Sequence, residues 1–211
     1  MAQTVAPVAC TPIARKLHIG CFDVVHDGWL NTDVTPHLMV ARIPGLPRAL
    51  RAAGLISDER WEAYESGAFR RIAYLDLTRP FPFADASIDA VLASHVLEHL
   101  TTEEAERCVS EVRRVLKPGA VVRVAVPDLD TVVEEYDPAD PDAFLDGLLQ
   151  GRERSTSRHR HWWNYNETSM RTLLERSGFE CIERCDFKSG MCPDVERIDT
   201  RPGSLFMEGV R

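Results

Sequence analysis

The sequence has no apolar run approaching the roughly 20 residues that a membrane-spanning helix requires. No basic start with a sustained apolar segment opens it either. Residues 1–15 are rich in Ala, Pro and Thr and read as a flexible N-terminal tail rather than a secretory signal. Basic charge is also short: 25 Lys and Arg stand against 33 Asp and Glu, a formal net charge of -8. A sequence-independent grip on nucleic acid needs a basic face, so no nucleic-acid partner is expected. The one local exception is the run Arg152, Arg154, Arg158, His159, Arg160, His161, which leaves room for a local anionic ligand. There is no Cys-x-x-Cys pair. The six cysteines, at 10, 21, 108, 181, 185 and 192, are irregularly spaced. Reduced thiols in a cytoplasmic protein are therefore expected, and a zinc held by Cys181, Cys185 and Cys192 is the lesser reading. No carboxylate triad is visible, so no metal ligand is assigned. The G-x-G-x-x-G fingerprint is missing too, which discounts a nicotinamide oxidoreductase.

What remains is a chain of 211 residues, 44% hydrophobic, long enough for one domain with its own core. Lys16–Gly20 reads as a short strand ending in glycine, and Gly28–Val34 as a second. The link between them is only about seven residues, below the dozen or so of a full helical crossover, so any first helix is rudimentary. Residues from about 36 to 70 read as a helical insertion, with a short helix at Pro47–Ala53 and another capped by Ser57. Arg71–Leu77 follows as a strand, then the Pro-containing turn Arg79–Phe83. Ile88–Ser94 is an apolar, β-leaning run. Thr101 and Glu104 form a capping box for a helix to Leu116, with Ala105, Val109, Val112, Val115 and Leu116 on one stripe. Lys117-Pro118-Gly119 stops that helix, and Ala120–Val126 suits a strand buried on both faces. After Asp128 the chain is acidic and helical, then basic and aromatic through Trp162, Trp163 and Tyr165. Asn166 caps a helix carrying Met170, Leu173 and Leu174, and Phe179–Phe187 and Ser204–Val210 are the last strands.

Strands alternating with helices predict an α/β fold, a mostly parallel sheet with helices on both faces. Ligands in such sheets lie beyond the carboxyl ends of the strands, where strand order reverses. The residues to watch are therefore Gly20, Asp33, Asp76, Ser94 to Glu98, and Asp128. Gly20 lets a ligand approach the backbone. A carboxylate at Asp33 can accept from both ribose hydroxyls, and one at Asp76 from an adenine amino group. Each alone is more often a turn former; together and in this order they describe an adenine nucleoside site.

The segments Lys-Leu-His-Ile-Gly-Cys … Gly-Trp-Leu-Asn-Thr-Asp, Asp76-Leu77-Thr78-Arg79-Pro80-Phe81-Pro82-Phe83 and Ser94-His95-Val96-Leu97-Glu98-His99-Leu100 resemble the class I S-adenosylmethionine-dependent methyltransferases. So do Arg113 to Gly119 and the late Leu-Leu-x-x-x-Gly-Phe at 173–179. The likeness spans about residues 16–187, and the block from Ile88 to Gly119 is its specific part. It is strongest to the small group with a short glycine loop and a Gly-Trp-hydrophobic-Asn-x-Asp second strand. The resemblance implies a Rossmann-like, seven-stranded sheet with the last strand antiparallel, and S-adenosylmethionine over the first loop. By it Gly20, Cys21 and Phe22 neighbour the methionine part, and Asp33 takes the ribose. Asp76 and Leu77 take the adenine, and Ser94 and His95 line the sulfonium and acceptor side. Phe22 stands where the family usually has a second glycine, and its side chain either crowds the cofactor or points away.

The expected reaction is methyl transfer to a small-molecule acceptor, such as a sugar or specialised-metabolite hydroxyl or amine. His95, His159 and Asp128 are the candidate bases or orienting groups. His95 equally well only packs on the cofactor, His159 lies on a solvated surface, and Asp128 caps the next helix. Trp162, Trp163 and Tyr165 form either a lid or packing. The alternative is a methyltransferase-fold protein without methyl transfer, acting as a binding or partner subunit, or using the cofactor for other chemistry. A homodimer is left open, and no membrane partner is expected.

Overall fold

The computed structural model describes residues 15–149 and 160–211. Seven strands form one sheet: β1 (Lys16–Ile19), β2 (Trp29–Asp33), β3 (Ile72–Tyr74), β4 (Ile88–Ser94), β5 (Leu116–Pro127), β6 (Glu180–Cys185) and β7 (Ser204–Val210). Their order is β3-β2-β1-β4-β5-β7-β6. The pairs from β3 through to β5 are parallel, and β7 runs antiparallel to both of its neighbours, β5 and β6. This is the expected Rossmann-like sheet of six parallel strands and one antiparallel, the antiparallel one being last in the chain.

β1 and β2 are parallel neighbours with no helix between them. Residues 36–70 carry α1 (His37–Arg42), α2 (Leu46–Ala52), α3 (Asp58–Glu65) and a 3-10 turn at Ala68–Arg70. Ser57 caps α3 through the Arg60 N–H. β3 is shorter than the expected Arg71–Leu77. The Asp76 carboxylate accepts from the Thr78 N–H and hydroxyl at 3.0 and 2.7 Å, which folds the chain into a turn before the prolines.

α4 (Thr102–Val115) has the expected capping box, and its stripe of Ala105, Cys108, Val109, Val112 and Val115 is buried. The sharp stop at Lys117-Pro118-Gly119 is tighter than expected, because β5 begins at Leu116 with no loop at all. Pro118 cannot extend a helix, and Gly119, at φ +78°, donates its N–H to Arg211 at 2.9 Å. α5 (Leu129–Glu134) and α6 (Pro141–Leu149) follow β5, and α7 (Glu167–Arg176) has a capping box between Asn166 and Ser169.

Alternation along the strands sorts side chains to two faces. Leu17, Ile19, Val91, Val122, Val124, Leu205 and Met207 join α4 and α7 in the main core. On the other face Trp29, Ala90, Leu92 and Val121 pack under Cys192 and Ile198 of the β6–β7 connection, whose short helix α8 spans Val195–Ile198. Within that face Arg123 is fully buried. It makes a fork to Asp199 at 2.8 and 2.6 Å, a 2.7 Å bond to Glu208, and two more to backbone carbonyls. The pairing anchors the 186–203 segment to β5 and β7. A third apolar group, Cys21, Leu38, Ala41, Phe69 and Ile72, fastens the 36–70 helices to the edge of the sheet. Among the described residues no helix is long and apolar enough to cross a membrane.

Candidate functional site

Strand order reverses between β1 and β4, and a narrow crevice opens there at the carboxyl ends of the strands. It is lined by Gly20 to Val24, His18, His26, Ser94, His95, Thr200 and Arg201. Gly20 adopts φ +65°, and a Cβ on it would lie 2.1 Å from Val96 Cγ2. Only glycine lets the loop after β4 close down on the loop after β1.

Asp33 organises the other side. Its Oδ2 accepts the Phe22 N–H at 2.9 Å and its Oδ1 the Thr35 N–H at 2.7 Å. A carboxylate holds about four lone-pair sites, so capacity for two ribose hydroxyls remains. Phe22 sits at φ +51°, a left-handed conformation that favours glycine. Its ring lies under the Arg60 guanidinium at 4.1 Å and makes edge contacts with His37 and Phe69. The 36–70 helices thus engage the aromatic ring, while Arg60 also pairs with Asp23. Cys21 is 3% exposed, and burial followed by the Asp33 charge pushes its thiol far above the ordinary range. It packs and is not a nucleophile.

Asp76 lies two residues beyond β3 and is partly buried. Burial opposes its charge, but hydrogen bonds from Thr78 and the Arg79 guanidinium prevail and hold the carboxyl below its usual range. Leu77 is buried beside it. A wider groove of about 540 Å³ runs from Leu77–Pro80 along Glu103, Glu106, Arg107, Ser110 and Glu111, sharing no residue with the crevice.

Ser94 ends β4, and His95 follows at φ +51° with its N–H on Ala125 at 2.8 Å. The His95 ring is hydrogen-bonded at one nitrogen and faces a carboxylate with the other. Nε2 is 2.8 Å from Ser204 Oγ, and Nδ1 lies 3.3 Å from Glu98 Oε1. Asp128 is 5% exposed and engaged at both oxygens: Oδ1 caps α5 through Asp130, and Oδ2 pairs with Arg184 at 3.0 Å. His159 and the arginines at 152, 154 and 158 lie outside the described residues. Tyr165 is core, whereas Trp162 and Trp163 are about half exposed. Cys181, Cys185 and Cys192 form no metal-binding group among the described residues.

Three residues, His18, Thr200 and Arg201, escape a reading of sequence alone. His18, buried in β1, stacks on His26 at 4.9 Å and hydrogen-bonds Asn31. Burial, then the neighbouring His26, lowers its pKa to about 4. Thr200 and Arg201 reach the crevice because Arg123 holds Asp199. Glu98, with both carboxylate oxygens buried, meets His99 and His161.

A crevice at the switch point, a glycine in the loop after β1 and acids ending β2 and following β3 form the arrangement in which open α/β sheets take nucleotide-like ligands. Comparison with known proteins agrees. Residues 58–124 match the methyltransferase domain family. A protein of Mycolicibacterium smegmatis named as a probable S-adenosylmethionine-dependent methyltransferase is 30% identical over 162 residues. The match covers 76% of this chain, and the chain spans about half, 54%, of that relative's length. Among solved structures, an S-adenosylmethionine-dependent methyltransferase from Archaeoglobus fulgidus superposes with a TM-score of 0.50 at 15% identity, covering 95% and 87% of the two chains. The S-adenosylmethionine-dependent methyltransferase SibL gives 0.50 at 22% identity, covering 95% and 51%. Residues 58–124 thus match the methyltransferase domain family, and the chain as a whole has the fold of the S-adenosylmethionine-dependent methyltransferases it resembles.

Proposed function

We propose that this chain binds S-adenosylmethionine across the carboxyl ends of β1, β2 and β4 and transfers its methyl group to a small-molecule acceptor. The observation that carries the reading is the Asp33 carboxylate, fixed by two backbone N–H groups at the edge of the Gly20 crevice. A pre-oriented acid there suits a ribose diol, and the Asp76–Leu77 turn suits the adenine. Gly20, Cys21 and Phe22 neighbour the methionine part, and the turned Phe22 ring favours the reading in which it points toward the 36–70 helices.

When bound, the cofactor supplies an activated methyl on a sulfonium. The chain's own residues have to align the acceptor with the methyl–sulfur axis and exclude water, and such positioning contributes roughly 7–11 kcal/mol. Ser94 and His95 line that side. In this reading His95, hydrogen-bonded to Ser204, serves as the base for a hydroxyl or amine acceptor. Asp128, bound by its cap and by Arg184, orients the start of α5. The net charge of -8 supports a small molecule over nucleic acid.

The test is incubation of the full chain with S-adenosylmethionine carrying a deuterated methyl and fractionated small-molecule extracts, read by mass spectrometry. The expected result is label in one acceptor class, lost with Asp33→Ala and reduced with His95→Ala. Cofactor binding without label in any fraction would overturn methyl transfer and favour the non-transferring alternative.

A further inference from the structure

Glu98 stands in the 3-10 turn Leu97–His99, directly after the loop that carries His95. It is 1% exposed, and neither carboxylate oxygen has a hydrogen-bond partner. The His95 Nδ1 contact at 3.3 Å is at ion-pair distance without hydrogen-bond alignment. A buried carboxylate left this way is costly unless a cation meets it.

The groups around it suit a metal. His161 is 4% exposed, and its Nδ1 is likewise buried with no partner. His99 stacks edge-on with His161 at 5.0 Å. One ligand atom each from Glu98, His99 and His161 lies within 4.8 Å of the others. Bonds of about 2.0–2.2 Å bring such atoms to rather over 3 Å apart, which small side-chain rotations achieve.

The supporting shell is already built. His99 Nδ1 lies 3.2 Å from the Arg160 carbonyl, the backbone contact that fixes a ligating imidazole and presents its Nε2. The Glu98 carbonyl accepts from the Trp162 N–H at 2.8 Å and the Trp163 N–H at 3.3 Å, clamping the 160–163 segment over the turn.

We propose that Glu98, His99 and His161 bind one divalent transition-metal ion beside the crevice. Two imidazoles and one carboxylate are a borderline-soft set suited to Zn²⁺, Co²⁺ or Fe²⁺ rather than Mg²⁺ or Ca²⁺. Three protein ligands leave a coordination position open. The site does not depend on the cofactor reading, because metal binding is measured without S-adenosylmethionine.

The experiment titrates chelator-stripped full chain with Co²⁺ alone, then Zn²⁺ alone. The expected result is one equivalent of Co²⁺ with the visible absorption of a low-coordinate ion, displaced by Zn²⁺. His161→Ala and the less buried His99→Ala weaken binding about tenfold or more, with unchanged circular dichroism. X-ray absorption of the Zn²⁺-loaded wild type shows imidazole scattering and no sulfur. Absence of stoichiometric binding by folded wild type, retention in both variants, or sulfur ligands would each overturn the proposal.

Discussion

The Phe22 N–H donates to Asp33 Oδ2 at 2.9 Å, joining the loop after β1 to the end of β2. With Thr35 on the other oxygen, one carboxylate sets two loops. The short β1–β2 link has no helix to brace it, and this acid takes that part.

Gly20→Ala tests the closure of the two loops. The new Cβ meets Val96 Cγ2 at 2.1 Å in a left-handed backbone. Overpacking costs about 1–3 kcal/mol and the conformation about another 1–2. Urea unfolding should show a loss of about 3 kcal/mol, and the added Val96→Ala relieves only part of the clash, since the Val96 Cβ itself lies 2.6 Å from the new one. A neutral Gly20→Ala would contradict the packing.

Arg123→Ala strands two buried carboxylates, Asp199 and Glu208. Removing one partner of a buried ionic group costs about 3–5 kcal/mol. Arg123→Lys recovers little, since a lysine lacks the planar fork that Asp199 and Glu208 both use. Because Asp199 precedes the crevice residues Thr200 and Arg201, any folded variant should also bind cofactor more weakly, as calorimetry would read.

Acid should destabilise the protein through His18. Its folded pKa, about 4, lies below the ordinary 6.5 of a histidine, so folding favours the neutral ring. That contribution is complete above pH 6.5 and is lost as pH falls toward 4, roughly 3 kcal/mol in all. Urea unfolding at pH 7, 5.5 and 4.5 measures it, and His18→Asn should flatten the slope in this window. An unchanged slope in His18→Asn would assign the acid response to other groups.

Much of the fold is legible in the chain because its signals are local. Thr101 with Glu104, the α4 stripe, the Asn166 cap and the alternating Ser204–Val210 segment each carry their own geometry. The crevice is legible at Gly20, Asp33 and Ser94–His95, since strand ends follow from strand assignment. The turn at Asp76 shortens β3 because a side chain outcompetes the ladder for the Thr78 N–H. Arg123 interrupts an otherwise apolar strand. Its partners Asp199 and Glu208 lie 76 and 85 residues away, which no local pattern connects. Glu98 and His161 likewise meet only through the backbone clamp between Glu98 and Trp162.

The most direct test of the account is calorimetric titration of the folded chain with S-adenosylhomocysteine, beside Asp33→Ala. Each hydrogen bond to a charged group is worth about 1.5–3 kcal/mol. The account predicts saturable one-site binding by the wild type, weakened at least about tenfold in the variant. No binding by folded wild type, or equal binding by Asp33→Ala, would contradict it.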